Sequence, residues 1–230
     1  MRVTVIPRTE EINEIKGKTA VIIDVLRATT SMVIALANGA KQIIPFLTPR
    51  EAKDYATRAG DFLLCGERKG VKLPHFDLGN SPREFTKERV ENKTLLMTTT
   101  NGTRAINQSL TAKRIFVASA LNVHALVERL GSEKDVVIVC AGTKGKFSLD
   151  DFAVAGLIIS YLEKNNDIVL DDLGAAAKML LKDRTLYSLL AASRHGERLE
   201  HLGFQEDVTF CSQVGVINLV PYYDAGVIKI

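Results

Sequence analysis

The sequence predicts an α/β protein, with three layers (α/β/α) around a mostly parallel or mixed central sheet. Three observations carry this expectation. Short apolar, β-branched runs alternate with amphipathic stretches through the first two thirds of the chain. Several of those runs are continuously apolar rather than alternating, as strands covered on both faces are. After Phe147 the character shifts to consecutive Ala- and Leu-rich helical stretches, giving a helix-rich C-terminal third closed by a terminal β-hairpin.

Strands are expected at Val3–Ile6, Ala20–Val25, Gln42–Phe46, Phe62–Cys65, Thr94–Thr98, Arg114–Ser119 and Val136–Ala141. Between them, Thr48-Pro49 reads as an N-cap followed by proline at the first helical position, opening a helix that stops near Gly60. Ser81-Pro82 opens a second in the same way, and Asn122 to Arg129, closed by Gly131, is a third. Leu149–Leu162, Asp171–Leu181 and Leu186–Leu202 read as helices. Val216–Val220 reads as a strand, and the turn Asp224-Ala225-Gly226 leads into a last strand, Val227–Ile230. With no repeat, no low-complexity segment and no linker-like stretch, residues 1–230 are read as one compact domain.

Composition narrows the class. The chain has 230 residues, 46% hydrophobic and 25% charged, which suits a globular protein with a sizeable core and not a disordered one. Its 30 Lys and Arg against 27 Asp and Glu give +3, with no basic block; aromatics are 6% with no Trp, so nucleic acid is not an expected partner. Three cysteines argue for reduced thiols and a cytoplasmic protein. Neither a signal peptide nor an apolar run near the ~20 residues of a membrane span is read, so no membrane partner is expected. The oligomeric state is left open, with a homodimer as one option.

Ligands of open α/β sheets bind at the carboxyl ends of strands, and five such places carry reactive or anion-binding residues. Asp24-Val25-Leu26-Arg27-Ala28-Thr29-Thr30-Ser31 ends a strand in an acid, then brings an arginine fork and hydroxyls into a helix start, a ready anion site. Cys65-Gly66-Glu67-Arg68 offers Glu67 as base or metal ligand and Arg68 as anion contact. Asp77-Leu78-Gly79-Asn80-Ser81-Pro82 presents Asn80 and Ser81 before a helix. Thr98-Thr99-Thr100-Asn101-Gly102-Thr103-Arg104 has more hydroxyls than a helix cap needs and the composition of a phosphate cradle. Finally, Cys140 to Lys146 is a basic glycine-bearing loop running to Ser148 and the pair Asp150-Asp151. Those acids serve the helix dipole or hold a hard cation.

Several near-matches fail on spacing. Gly142 to Ser148 is too short for a Walker A loop. Six residues past the three cysteines stand Val71, Lys146 and Ile217, not the arginine of cysteine-dependent phosphatases. Leu26 occupies the place of the second Asp of the haloacid-dehalogenase type. Arg194-His195-Gly196 has the letters of a histidine-phosphatase motif but follows a late helix; His195 stays a candidate proton donor. His75, His124 and His201 lack zinc-ligand spacing.

Taken in order, Ile23-Asp24-Val25-Leu26-Arg27-Ala28-Thr29-Thr30, Gly66-Glu67-Arg68, Gly79-Asn80-Ser81-Pro82 and Thr99-Thr100-Asn101-Gly102-Thr103 form a set that resembles the 2-phosphosulfolactate phosphatase family. The likeness extends to Val220-Pro221-Tyr222 and includes His195-Gly196 and Gly203-Phe204. It implies a Mg²⁺-dependent phosphatase of the coenzyme M pathway that hydrolyses 2-phospho-3-sulfolactate, or a related small 2-phosphorylated carboxylic acid. The expected catalytic residues are Asp24, Arg27 and Glu67. Substrate and phosphate contacts are expected from Thr29, Thr30, Arg68, Asn80, Ser81, Thr99, Thr100, Asn101, Gly102 and Thr103, with Arg104 a further donor. Metal ligands are expected among Asp24, Glu67, Asp150 and Asp151. Asp24 is either the nucleophile or the holder of the metal that activates water. The competing expectations are a non-catalytic binding protein for a small phosphorylated acid, and a transferase.

Overall fold

The structure, a computed structural model, describes residues 1–12, 15–58 and 60–230. In chain order it comprises β1 (Arg2–Ile6), β2 (Thr19–Ile23), α1 (Ala28–Ala37), β3 (Gln42–Pro45), α2 (Pro49–Ala56), β4 (Phe62–Arg68), β5 (Val71–Lys72), α3 (Lys87–Val90), β6 (Thr94–Thr98) and α4 (Gly102–Gln108). Then follow β7 (Arg114–Ala118), α5 (Val123–Leu130), β8 (Asp135–Cys140), α6 (Leu149–Leu162), β9 (Val169–Leu170), α7 (Asp172–Met179), α8 (Leu186–Ala191), α9 (Arg194–His201), α10 (Gln205–Cys211), β10 (Tyr222–Asp224) and β11 (Val227–Lys229). The protein is α/β, as expected. No helix among the described residues is long and apolar enough to cross a membrane.

The strands form one mixed sheet in the order β5-β4-β6-β3-β11-β10-β7-β2-β8-β1-β9. It holds two parallel blocks, β4-β6-β3 and β7-β2-β8-β1-β9, joined by the C-terminal hairpin. β10 pairs antiparallel with β7 and β11 antiparallel with β3, so the two blocks run in opposite senses. Sheet twist accumulates roughly 20–25° per strand. Over the steps from β2 through the hairpin to β6, it swings the carboxyl ends of the two blocks toward one another.

Period-2 side-chain alternation sorts the core onto the two faces. On β2, Val21 and Ile23 face the layer of α5, α6, α8, α9 and α10, whereas Ala20 and Ile22 face α1 and α4. α2 covers the far face of β3, β4 and β6. Helix α1 (ATTSMVIALA) has no charged residue and is buried almost throughout, as a helix without a polar face must be. Asp24 and the loop after it are carried at its N-terminus.

Helices α6 and α7 pack at backbone distance. A Cβ on Gly156 would lie 2.1 Å from the carbonyl oxygen of Ala177, with no flexible side chain to give way. Gly156→Ala is expected to cost about 3 kcal/mol, a fall in Tm of roughly 6–12 °C. A Tm within 2 °C of the native value would contradict this packing.

Some expected elements differ. The helix from Pro49 ends at Ala56 rather than near Gly60, and Ala59 lies outside the described residues. Pro82 opens only the 3₁₀ turn Pro82–Glu84. The stretch Leu186–Leu202 is two helices broken at Ala192-Ser193, where the Ser193 hydroxyl caps α9 by accepting from Gly196 N (2.9 Å). Val216–Val220 is not a strand: it lies along the 120–122 turn, with Gly215 N on Ala120 O, Ile217 N on Leu121 O and the Asn122 carboxamide donating to Leu219 O. Among the elements not expected are β5, β9 and α10.

Candidate active site

Where the carboxyl ends of the two blocks converge, a cleft of about 660 Å³ opens. Its wall takes Asp24, Leu26 and Arg27 from the loop between β2 and α1, Glu67, Lys69 and Gly70 from the β4–β5 hairpin, and Asn80 from the next loop. Thr100 and Asn101 come from the turn into α4, Thr143, Lys144 and Lys146 from the loop after β8, and Arg194, His195, Glu197, Arg198, Leu199 and His201 from α9. Arg27, Lys69, Lys144, Lys146, Arg194 and Arg198 outnumber the carboxylates Asp24, Glu67 and Glu197, which suits an anion of several charges.

Asp24 is the buried acid of the cleft, 4% exposed. Its backbone N–H donates to Thr29 Oγ1 (3.0 Å), and Oδ1 accepts a long bond from Ala28 N (3.4 Å) at the start of α1. Gly102 packs so closely that a Cβ there would sit 3.0 Å from Asp24 Oδ2 and 2.6 Å from the Ala28 methyl. Burial raises the Asp24 carboxyl to about 6; His195 opposes this and the charges of Glu67 and Asp150 add to it.

Asp150 and Asp151, at the start of α6, stand behind this acid rather than in the cleft wall. Asp151 accepts from Val25 N (2.9 Å) and Gly142 N (3.0 Å), fixing the β2 and β8 loops to each other. Burial, then the charges of Asp150 and Asp24, push its carboxyl well above the ordinary range. Asp150 accepts from Ser148 Oγ (2.5 Å) and lies 3.1 Å from His195 Nδ1. His195 Nε2 lies 3.0 Å from Thr143 Oγ1. Burial works against charge on this imidazole, but the Asp150 hydrogen bond and the charges of Asp150, Asp24 and Asp151 prevail, raising it to about 9. His195 is therefore an imidazolium at neutral pH, on the wall of a cleft holding an ionised Asp24.

Arg27 is buried, donating to Asp207 Oδ2 (2.6 Å) and Gly70 O (2.7 Å) with its guanidinium carbon 4.5 Å from the Phe204 ring centre. Asp207 Oδ1 also accepts from Ser81 Oγ (2.7 Å), so one acid on α10 aligns the loops carrying Arg27 and Asn80. Asp207→Ala strands the Arg27 charge and is expected to cost about 3–5 kcal/mol, lowering Tm by roughly 10 °C. The Arg27→Met, Asp207→Leu double variant should recover most of that stability. Equal Tm for Asp207→Ala and the native protein would refute the role given to this pair.

Of the residues singled out by sequence, Asp24, Arg27, Glu67, Asn80, Thr100 and Asn101 line the cleft. The others serve its framework. Glu67 Oε1 accepts from Thr100 N and Oγ1 (both 2.8 Å) and Oε2 from Gly70 N (2.7 Å), so both oxygens are engaged in shaping two loops. Arg68 donates to Glu67 O, Leu47 O and Thr98 Oγ1. Thr99 and Thr103 bond each other's hydroxyls and backbone, Thr30 Oγ1 donates to Val25 O, and Arg104 pairs with Glu10. Lys69 and Arg198 carried no sequence signal, and Arg194 entered only through the Arg194-His195-Gly196 motif that was set aside; the α8–α9 break is what turns the two arginines, with His195, to the cleft.

The fold and the cleft are those of an α/β protein whose cation-rich cleft suits a small anion. A family model described as 2-phosphosulpholactate phosphatase matches residues 5–226. Three similar chains are each named "Probable 2-phosphosulfolactate phosphatase". The one from Clostridium beijerinckii is 42% identical over 98% of both chains. That from Symbiobacterium thermophilum is 45% identical over 93% of this chain and 94% of its own, and that from Thermotoga petrophila is 43% identical over 93% and 92%. The chain belongs to the 2-phosphosulfolactate phosphatase family, a family of phosphoric monoester hydrolases.

Proposed function

We propose that this protein is a Mg²⁺-dependent phosphatase that hydrolyses 2-phospho-3-sulfolactate, or a closely related 2-phosphorylated carboxylic acid, to the 2-hydroxy acid and phosphate. The observation that carries the reading is the pairing, on one cation-rich cleft, of a buried carboxylate, Asp24, with the Asp150-held imidazolium of His195. Such a substrate brings phosphate, carboxylate and sulfonate, and the lysines and arginines of the cleft answer that charge.

The side chains fit a cation held by few protein groups. Among the described residues no three His, Cys, Asp or Glu side chains gather into a metal cage. Glu67, Asp150 and Asp151 already have both oxygens hydrogen-bonded, whereas Asp24 Oδ2 receives no hydrogen bond from the described residues. Mg²⁺ is commonly bound by one or two carboxylates, the rest being water and substrate phosphate, so Asp24 would hold it. When bound, the ion screens phosphate charge and polarises the ester.

The chain's own groups then divide the work. Lys144 and Lys146 draw the anion in, and Thr100, held by Glu67, and Asn101, whose Oδ1 accepts from Lys144 N, present polar groups at the turn into α4. Water attacks phosphorus in line as the ester P–O bond breaks. His195 Nε2, exchanging its Thr143 contact for the substrate, gives its proton to the leaving alkoxide, and the dihydrogen phosphate first formed returns a proton to the imidazole, so the products are the alcohol and hydrogen phosphate. Asp150 holds the imidazole in place through Nδ1. Phosphate release that stops in excess EDTA and returns with added Mg²⁺ is the expected result. Release unaffected by EDTA would remove the metal from this reading, and stoichiometric binding without turnover would replace the enzyme by a binding protein.

A further inference from the structure

Among the described residues, two buried side-chain polar atoms have no hydrogen-bond partner, and one of them, Asn80 Oδ1, belongs to the cleft wall. Asn80 is 4% exposed. An orphaned carbonyl oxygen costs about 1–3 kcal/mol, and such an atom in a native structure calls for a partner of its own.

Its position is fixed from behind. The Asn80 backbone carbonyl oxygen accepts from Ser31 Oγ (2.8 Å), and its neighbour Ser81 is held by Asp207. Ser31 lies on α1 three residues past Ala28, whose N–H meets Asp24 Oδ1. Residues three apart share a helix face and lie about 5 Å apart along its axis. Asp24 and the Asn80 backbone are thus both tied to the first turn of α1, and both residues line the cleft, one with a carboxylate and the other with an unpaired carbonyl oxygen. Two such acceptors repel a phosphate oxygen and suit a hard cation, which takes carboxylate, carbonyl and water oxygens.

We infer that the Asn80 carboxamide oxygen is a neutral protein ligand, beside the Asp24 carboxylate, for the divalent cation of this cleft. The inference rests on the metal-dependent reading above and adds to it a ligand outside the four acids that sequence had put forward.

Direct Mn²⁺ titration followed by the EPR signal of the free ion, without substrate, tests it. The wild type is expected to bind one Mn²⁺, and Asp24→Asn to lose it. Asn80→Ala should raise Kd by roughly tenfold or more, and Asn80→Asp, which keeps an oxygen and adds charge, should hold or tighten binding. Thermal denaturation in EDTA controls for folding; Asn80→Ala loses an unpaired polar atom and should melt no lower than the wild type. An unchanged Kd in Asn80→Ala, with Asp24→Asn still defective, would overturn the inference and leave the metal reading standing. A wild type that binds no Mn²⁺ would overturn both. A third result, an unchanged Kd with weaker inhibition by inorganic phosphate in Asn80→Asp, would make Asn80 an anion donor through its nitrogen and also overturn the inference.

Discussion

Asp24→Asn is expected to abolish turnover, by at least on the order of 10³-fold in kcat, and to leave the protein as stable or more so. The two halves of this expectation have one cause. A carboxylate held in a buried site at about 6, against an ordinary 3.8, binds its proton more tightly folded than unfolded. Stability is therefore lost as pH rises from about 4 to about 6, and the full cost of the buried charge persists above that. Asparagine keeps the shape and can still accept from Ala28 N, but carries no charge. In EDTA above pH 6 the variant should melt at or above the wild-type Tm; below about pH 4 the difference should vanish. A variant that melts lower, or that keeps a tenth of the activity, would show that Asp24 is part of the scaffold and not of the chemistry.

The second large effect concerns His195. Its imidazolium is expected to protonate the leaving alkoxide, so His195→Gln should lower kcat by about 10²–10⁴-fold. With the imidazole raised to about 9, kcat/KM should hold up to about pH 8 and fall as pH passes through 9. The sign follows from a base whose charged form is the active one. The acid limb is uninformative, because the second ionisation of a phosphate ester falls near 6. Asp150→Asn removes the carboxylate 3.1 Å from Nδ1 and should draw the alkaline limb down toward the ordinary histidine value near 6.5. An alkaline limb unmoved in Asp150→Asn would assign that limb to another group.

Much of this fold is legible in the sequence because local signals are strong where burial is two-sided. Thr94–Thr98 and Leu149–Leu162 fall where the apolar pattern puts them, and the terminal turn at Asp224-Ala225-Gly226 makes its hairpin. The hairpin's place is another matter. Nothing local tells that β10 and β11 insert between β7 and β3, reverse one parallel block against the other and so bring distant loops together. The stretch Val216–Val220 has strand composition, yet its backbone partners come singly from the 120–122 turn, which no periodicity reveals.

The site divides along the same line. Strand ends pointed to Asp24, Arg27, Glu67, Asn80, Thr100 and Asn101, and these do meet at one cleft. Residue type alone could not separate groups that face the cleft from those engaged behind it. Glu67 and Asp151 look as open to a cation as Asp24 does, until their oxygens are seen to be spoken for by backbone amides. His195 stands in the sequence only as a candidate proton donor, because Leu186–Leu202 reads as one helix and so conceals the Ser193 cap that starts a new helix and turns its first residues to the cleft.

As proposed, this cleft is a phosphatase site matched to a small polyanion. Its most direct test is phosphate release from 2-phospho-3-sulfolactate and from 2-phospholactate, side by side in Mg²⁺. Turnover of both is expected, with the higher kcat/KM for the sulfonated acid, and none of either by Asp24→Asn. Equal kcat/KM for the two would show that the sulfonate is not recognised, and a folded wild-type protein that releases phosphate from neither would contradict a phosphatase role for this cleft.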